Sequence, residues 1–252
     1  MKILTLPPSG RGARRQRGFT LVEMMVAVGI GLVVALGFAV SFVNLKSTWN
    51  NQDKLAQLQD NERLAMAFLT SSIEEAGYYP DATKTSLIMG TTATSGSMAF
   101  GTTATGQAMT GTPTPSGSST TPLSLSTQYL TASGDGVLNC QGGTNASGAN
   151  VTYRNVFYVN TATQTLNCVL FTNGVIGSDA ALISNVSSMN LMYAVDSDGD
   201  GSADKYLAAD AVTTAGLWSA VKSVQVTLNF VNPNSSSTPI TWVQTINAMN
   251  NR

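Results

Sequence analysis

The sequence contains no histidine and few charged residues. Without histidine, Ser-His-Asp and Cys-His catalytic groups and the usual histidine-bearing zinc sites are excluded. Charged residues make up 11% of the 252-residue chain, against roughly 25% in an average soluble domain. No glycine-rich phosphate-binding loop is present. These absences predict that the chain is not an enzyme, and the composition favours a loop-rich extracytoplasmic protein.

Cysteine is nearly absent, since Cys140 and Cys168 are the only two in the chain. In an exported domain an even pair of cysteines indicates one disulfide bond. Two free buried thiols are the alternative. A disulfide would close a loop of about 29 residues and contribute roughly 3 kcal/mol by restricting the unfolded chain.

Acidic residues are missing from the N-terminal leader, residues 1–18. The rest of the chain has eight basic and fourteen acidic residues and therefore a net charge of −6. A mildly acidic body argues against a nucleic-acid groove built from a basic patch, so no specific nucleic-acid partner is predicted. The five basic residues of the leader are Lys2, Arg11, Arg14, Arg15 and Arg17.

A long apolar run follows the leader, from Phe19 to about Val43, and its only charged residue is Glu23. As a helix, some 25 residues at about 1.5 Å each would cross the roughly 30 Å hydrocarbon core of a membrane. An ordinary secretory signal has an apolar core of only about 7–15 residues, and a buried core helix would not need the basic flank. The run therefore predicts one membrane span, with the leader cytoplasmic and the body outside.

The charge of Glu23 has no use in a plain membrane anchor, so this residue indicates that the apolar segment has a further function. A carboxylate at membrane depth costs about 2.5–3.5 kcal/mol, and residues of this kind are usually functional. Cleavage between Gly18 and Phe19 would create an amino group four residues before Glu23. We hypothesise that this amine satisfies the carboxylate within one subunit or across two, and so fixes the axial register of adjacent subunits in a helix bundle.

The segment Gly18-Phe19-Thr20-Leu21-Val22-Glu23 resembles the class III leader motif of type IV pilins and type II secretion pseudopilins. The resemblance implies that a prepilin peptidase cleaves the chain after Gly18 and then methylates the new N-terminal residue, Phe19. It also implies that Glu23, the fifth residue after cleavage, is the residue that sets the register in the assembled fibre.

A helix is predicted to continue well beyond the apolar run, because no proline occurs in residues 19–79. Gly77 and Pro80 are typical signals for the end of a helix. The sequence therefore predicts one long helix with a membrane-spanning half, residues 19–43, and an amphipathic half, residues 44–79. The apolar stripe of the second half, at spacings of mostly three, four or seven, consists of Leu55, Leu58, Ala65, Leu69, Ile73 and Ala76.

Three glycines, Gly29, Gly31 and Gly37, lie within the apolar half. Glycine is common in membrane helices, and close approach of neighbouring helices or local unwinding during assembly is the alternative. Many major pilins have a helix-kinking proline near the position of Val40, so any unwinding in this chain would depend on Gly37.

The end of the long helix carries a second resemblance. Residues 61–69 and 74–80, which include Ala76-Gly77-Tyr78, resemble the PilW-like minor pilins, where the long helix ends in a similar sequence. This resemblance implies a pilin-like fold and a structural role in a type IV pilus.

The remainder, residues 80–252, is predicted to be a β-rich globular domain. Residues 81–127 are poor in large apolar side chains and are expected to form a surface connection, with a short strand near 97–100; an interaction surface is the alternative. The fold class is α+β, a long N-terminal helix packed on a C-terminal antiparallel sheet. The predicted strands are 151–159, 166–171, 184–195, 224–230 and 240–246, and 207–218 is a short helix or crossover.

An aspartate-rich segment offers the best-defined site chemistry in the body. Its spacing matches the start of an oxygen-rich Ca²⁺ loop, with Gly201 at the sharp turn. The twelfth position is Leu207 instead of a bidentate Glu, Asp210 is an irregularly spaced substitute, and Asp and Gly also favour turns without any metal. Because close carboxylates repel one another without a cation, the sequence predicts a Ca²⁺ site. Its ligands would be Asp196, Asp198, Asp200, Asp204 and the backbone carbonyl of Ser202.

The pilin resemblance implies a minor pilin that helps to initiate a type IV pilus in a tip or priming complex and supports twitching motility, adhesion or DNA uptake. The chain would cross the bacterial inner membrane once, with its body in the periplasm, and then enter the filament or its tip. Its expected partners are the prepilin peptidase, other minor and major pilins and the inner membrane. A minor pseudopilin of a type II secretion system and a membrane-anchored calcium-binding adhesin are the alternatives.

Overall fold

The computed structural model describes residues 18–81, 93–95, 98–100, 107–113, 122–235 and 237–250. Its contacts divide the chain into two units, Met1–Gln52 and Asp53–Arg252. The elements are α1 (Leu21–Glu75), β1 (Ala93–Ser95), β2 (Met98–Phe100), β3 (Met109–Thr112), β4 (Ser124–Thr131), β5 (Val151–Asn160), β6 (Thr165–Thr172), β7 (Val175–Ser184), β8 (Val186–Val195), β9 (Lys205–Leu207), α2 (Ala209–Ala215), a 3₁₀ turn (Trp218–Ala220), β10 (Val221–Phe230) and β11 (Ile240–Asn247).

The helix α1 is continuous from Leu21 to Glu75, close to the predicted bounds. Gly77 follows with φ +80°, a left-handed conformation that favours glycine, and its N–H donates to the carbonyl oxygen of Gln128 at 2.9 Å. Leu55 of the predicted stripe is 37% exposed. The rest of the stripe is buried as predicted, together with Met66: the buried residues are Leu58, Ala65, Met66, Leu69, Ile73 and Ala76.

The described part of the body contains two larger antiparallel sheets, where one was predicted. Five strands lie in the order β3-β4-β5-β6-β7, four in the order β11-β10-β8-β9, and β1 pairs with β2. One apolar core joins α1, α2 and both larger sheets. The predicted α+β class is confirmed. Core side chains that show this connection are Leu69 and Ile73 of α1, Phe157 of β5, Tyr193 of β8, Val212 of α2 and Val226 of β10.

Much of the described part of the predicted surface connection, residues 81–127, forms strands. The prediction of a strand near 97–100 is confirmed by β2, but the prediction of a surface connection is wrong for β3 and the start of β4. Their hydroxyl groups pair with one another: Thr112 Oγ1 lies 2.8 Å from Ser124 Oγ, and Ser72 Oγ of α1 lies 2.6 Å from Thr127 Oγ1. A segment poor in large apolar side chains is buried here because its polar groups are satisfied internally. The remaining residues of the connection lie outside the described ranges.

The strand β7 was not predicted from the sequence, whereas α2 confirms a short helix within residues 207–218. Most of β7 is exposed, and small residues occupy its middle. The strand therefore lacks the alternation of apolar and polar residues that identifies a half-buried strand.

Cys140 and Cys168 form a disulfide bond with a Cα–Cα distance of 6.4 Å. Cys168 lies on β6, and Cys140 lies in the loop between β4 and β5. The side-chain Nε2 of Gln141 donates to the carbonyl oxygens of Cys168 at 3.2 Å and of Ser178 on β7 at 2.9 Å. The disulfide and these hydrogen bonds tie the β4–β5 loop to two strands of the five-stranded sheet.

Glu62 is a charged residue on the buried face of α1. Its side chain is 4% exposed, and its Oε1 atom has no hydrogen-bond partner among the described residues. Burial raises the pKa of Glu62 above its ordinary value of 4.5. The ionised carboxylate is therefore less favourable in the folded state than in the unfolded chain.

Replacing this carboxylate by an amide should stabilise the fold at neutral pH. Because the pKa of Glu62 is raised in the folded state, its stabilising contribution is complete below the unfolded pKa and is lost as the pH rises through the folded pKa. We expect Glu62→Gln to increase the free energy of unfolding by about 1 kcal/mol at pH 7, with the gain vanishing below about pH 4. Urea unfolding at both pH values measures the free energy of unfolding. The control Asp53→Asn, at an exposed position, should leave that free energy unchanged. The absence of a gain for Glu62→Gln at pH 7 would contradict the prediction.

Candidate functional site

The first part of α1 presents an apolar surface without any covering in the described chain. The helix is long and apolar enough to cross a membrane, and none of its most apolar 18-residue window is buried. Phe19 is 83% exposed and Phe38 is 73% exposed. Such a surface requires a membrane or other helices around it, because large continuous apolar patches are rare on monomeric soluble proteins.

The N-terminus of α1 is closed by a capping box between Thr20 and Glu23. The backbone N–H and the hydroxyl of Thr20 each donate to Glu23 Oε2 at 3.2 Å, and the N–H of Glu23 donates to Thr20 Oγ1 at 3.3 Å. This reciprocal pairing satisfies two of the N–H groups that a helix start leaves without partners. The sequence signal was available in the spacing Thr-x-x-Glu. Glu23 therefore has a local structural role besides its predicted role in register.

The predicted cleavage bond lies just before the helix. Residues 18–20 are exposed and precede α1, whose first helical hydrogen bond runs from the N–H of Met24 to the carbonyl of Thr20 at 3.2 Å. A Cβ added at Gly18 would meet nothing within 4 Å. Packing within the described chain therefore gives no reason for glycine at position 18, and recognition by another protein would supply one.

The three glycines of the apolar half also have open space around them. An added Cβ at Gly29, Gly31 or Gly37 would meet no atom within 4 Å outside the helix backbone. The helix stays regular at Gly37, whose carbonyl accepts a bond from Ser41 Oγ at 2.9 Å. Any close approach that these glycines permit is therefore to a neighbouring helix outside this chain.

The aspartate-rich loop connects β8 to β9 and gathers three of its four carboxylates. Ligand oxygens of Asp196, Asp198 and Asp204 all lie within 4.8 Å of one another. Asp200 is not in that group, and its Oδ1 accepts the N–H of Ser202 at 2.7 Å. The group therefore contains three of the four carboxylates predicted as ligands.

Asp196 anchors this loop through backbone and side-chain contacts. Its two oxygens accept the N–H groups of Gly199 at 2.7 Å and Gly201 at 2.9 Å, and Lys222 Nζ lies 3.5 Å from Oδ2. Burial acts to raise the pKa of Asp196, but these N–H groups and the lysine outweigh it, so its pKa lies below the ordinary value. The pKa of Asp204 is also lowered, by hydrogen bonds from Ser197. Both groups are therefore held as carboxylates.

Two family models match the chain. The model described as Type IV Pilus-assembly protein W matches residues 156–245, which run from β5 into β11. The model of the Prokaryotic N-terminal methylation motif matches residues 13–39, which include the predicted cleavage bond. No curated protein and no solved structure gives a significant match.

The methylation motif, the apolar N-terminal helix and the antiparallel β-domain define a type IV pilin-like protein. Within that class both matches are consistent with a PilW-like minor pilin, and the predicted resemblance is confirmed. The match to the PilW model lies in the body, whereas the sequence resemblance came from the end of α1. Two separate parts of the chain therefore lead to the same family.

Proposed function

We propose that this chain is a minor pilin that takes part in type IV pilus assembly as a subunit of a tip or priming complex, and so supports twitching motility, adhesion or DNA uptake. Its role is structural and involves no catalysis. The observation that carries the proposal is the PilW match over residues 156–245 in a chain that also has the methylation motif over residues 13–39.

The structure suggests how such a subunit would work. The apolar part of α1 holds the chain in the inner membrane, with the body in the periplasm. After cleavage between Gly18 and Phe19, the same surface packs against other pilin helices as the chain leaves the membrane. The new amine at Phe19 pairs with Glu23, which is expensive to leave unpaired in an apolar bundle. The pair then sets the axial position of the subunit.

The exposed apolar helix and the leader fit a type II secretion pseudopilin as well as a pilus subunit. The PilW match in the body is the observation that favours the pilus. A membrane-anchored adhesin that never enters a fibre would need neither cleavage nor a carboxylate at Glu23.

A clean deletion, scored in parallel for surface pili and for secreted exoenzymes, tests the proposal. We expect lost or sharply reduced pili with normal secretion. Lost secretion with normal pili would indicate that the chain is a pseudopilin. Normal results in both assays would contradict a role in either assembly.

We also propose that the β8–β9 loop binds Ca²⁺. The supporting observation is the grouping of Asp196, Asp198 and Asp204, three carboxylates that repel one another unless a cation joins them. Ca²⁺ would fasten the loop in place. Lys222, which neutralises part of the charge on Asp196, would limit the affinity.

If the loop binds Ca²⁺, millimolar calcium should raise the melting temperature of the purified chain. At a concentration 100 times the Kd the expected stabilisation is about 2.7 kcal/mol. Asp198→Asn should abolish this gain, whereas Asp53→Asn, which changes an exposed acid of α1 outside the loop, should retain it. No calcium-dependent shift in the unaltered chain would end the proposal.

A further inference from the structure

The strand β11 forms an open edge of the four-stranded sheet. It pairs with β10 along all eight of its residues without a register shift, and no described strand pairs with its other side. Its sequence, Ile-Thr-Trp-Val-Gln-Thr-Ile-Asn, contains no charge, proline or glycine. Thr241, Val243 and Thr245 are exposed. A free edge of this kind offers its backbone N–H and C=O groups to another strand.

The other three edges of the two larger sheets are protected in ways that β11 is not. The edge strands β9 and β3 have only three and four residues, and β9 carries Lys205. At the fourth edge, β7 carries Asp179 and two register irregularities against β6. Short length, charge and bulges are the devices by which sheets avoid edge pairing. Their absence from β11 indicates an edge that is kept open for a partner.

A groove runs beside this edge, between β11 and the exposed side of α1. Trp242 and Gln244 form its wall on the strand, and residues from Asp60 to Glu74 form its wall on the helix. Its volume is about 860 Å³. The fourteen helical steps from Asp60 to Glu74 advance by about 21 Å at 1.5 Å each, which is the length of the groove along α1.

The sheet edge decides which backbone conformation the groove accepts. A segment that pairs with the backbone of β11 must be extended, because the hydrogen bonds of a sheet join strands. At about 3.3 Å per residue, about six residues of such a segment match the length of about 20 Å along the groove.

We propose that β11 and this groove receive an extended segment of a different pilin-like subunit, which adds a strand to the four-stranded sheet. A second copy of this chain is the alternative occupant, and a crosslink from position 243 to a second copy would overturn the proposal. The inference rests on the proposed function, because the partner is another subunit of the same assembly.

The lining of the groove defines the chemistry of the segment. Trp242 is 39% exposed and Leu64 is 48% exposed, so they offer apolar contacts to alternate side chains of an added strand. Asp60 and Glu74 lie at the two ends of the groove, and Arg63 is the single basic residue in its lining. The segment that fits is therefore β-forming, with apolar residues facing α1 and with a neutral or slightly basic charge.

Photo-crosslinking in the native host tests the inference on the full-length chain. Benzoylphenylalanine is placed at Val243, or at Thr227, its directly paired neighbour one strand inward on β10. We expect position 243 to give a product with another pilin-like subunit, mapped by mass spectrometry to one of that subunit's strands, and at least about tenfold less product from position 227. No product from position 243, equal products from both, or a crosslink to a helix would overturn the inference.

A matched pair of charge substitutions separates this inference from the proposed function. In the deletion strain we expect Thr227→Lys to restore pili and Val243→Lys to restore at least about tenfold fewer, with both chains melting at the temperature of the unaltered protein. Full restoration by Val243→Lys would overturn the strand pairing and leave the minor-pilin role intact. A deletion without any pilus defect would overturn that role, and the crosslink from position 243 would still decide the pairing.

Discussion

Glu23→Ala should yield a chain that is cleaved and retained in the membrane but is nearly lost from the fibre. The carboxylate is the only charge in a long apolar surface that has no covering within the described chain, and in the proposed function its partner in an assembled bundle is the amine of the cleaved N-terminus. Without that pair nothing fixes the axial position of the subunit. We expect the ratio of fibre-associated to membrane-associated protein to fall by roughly tenfold or more, equivalent to at least about 1.4 kcal/mol.

The capping box gives this experiment its control. Thr20→Ala removes the hydroxyl that pairs with Glu23 at the helix start but leaves the carboxylate in place. If the effect of Glu23→Ala came from a weakened helix start, Thr20→Ala would reproduce it. We expect Thr20→Ala to assemble at close to the normal level. Normal assembly of Glu23→Ala would refute the register role and favour an anchored protein that never enters a fibre.

Removal of the disulfide should cause the largest loss of stability in the body. Cys140 and Cys168 are separated by 28 residues, and a cross-link that closes a loop of this size contributes roughly 3 kcal/mol through the unfolded chain. We therefore expect the double variant Cys140→Ala, Cys168→Ala to lose about that much free energy of unfolding. Removing both cysteines avoids an unpaired thiol.

Urea unfolding with and without a reductant measures this effect. Reduction should bring the unaltered chain down to the stability of the double variant and should leave the variant unchanged. Equal stability of the unaltered chain and the double variant without reductant would show that the cross-link contributes little to the free energy of unfolding.

The elements that could be predicted from the sequence are those with a clear periodicity of apolar residues or with a residue that ends a helix. The long helix was identified because its apolar run and stripe are uninterrupted and because Gly77 and Pro80 follow. Strands β5, β6, β8, β10 and β11 were identified because Val, Ile, Tyr and Phe are enriched or alternate there. In each case the side chains carry the pattern without any help from tertiary contacts.

The missed elements depend on partners distant in sequence. The start of β4 is rich in Ser and Thr, and it is buried only because Ser72 and Thr112 supply hydroxyl partners for Thr127 and Ser124. The division into two sheets likewise follows from strand order, which no local pattern encodes. In the candidate Ca²⁺ loop, spacing alone did not show that the carboxylates of Asp196, Asp198 and Asp204 lie close together without that of Asp200.

The contact between Gly77 and Asn250 links the order of synthesis to the completion of the fold. Asn250 Nδ2 donates to the carbonyl oxygen of Glu74 at 3.1 Å, and its own carbonyl lies against Gly77, where no side chain would fit. The end of α1 is thus closed by a residue that lies 176 positions later in the sequence. This contact can form only after residue 250 has been synthesised, so the end of the helix is completed in a late step of folding and not by gradual growth around the helix.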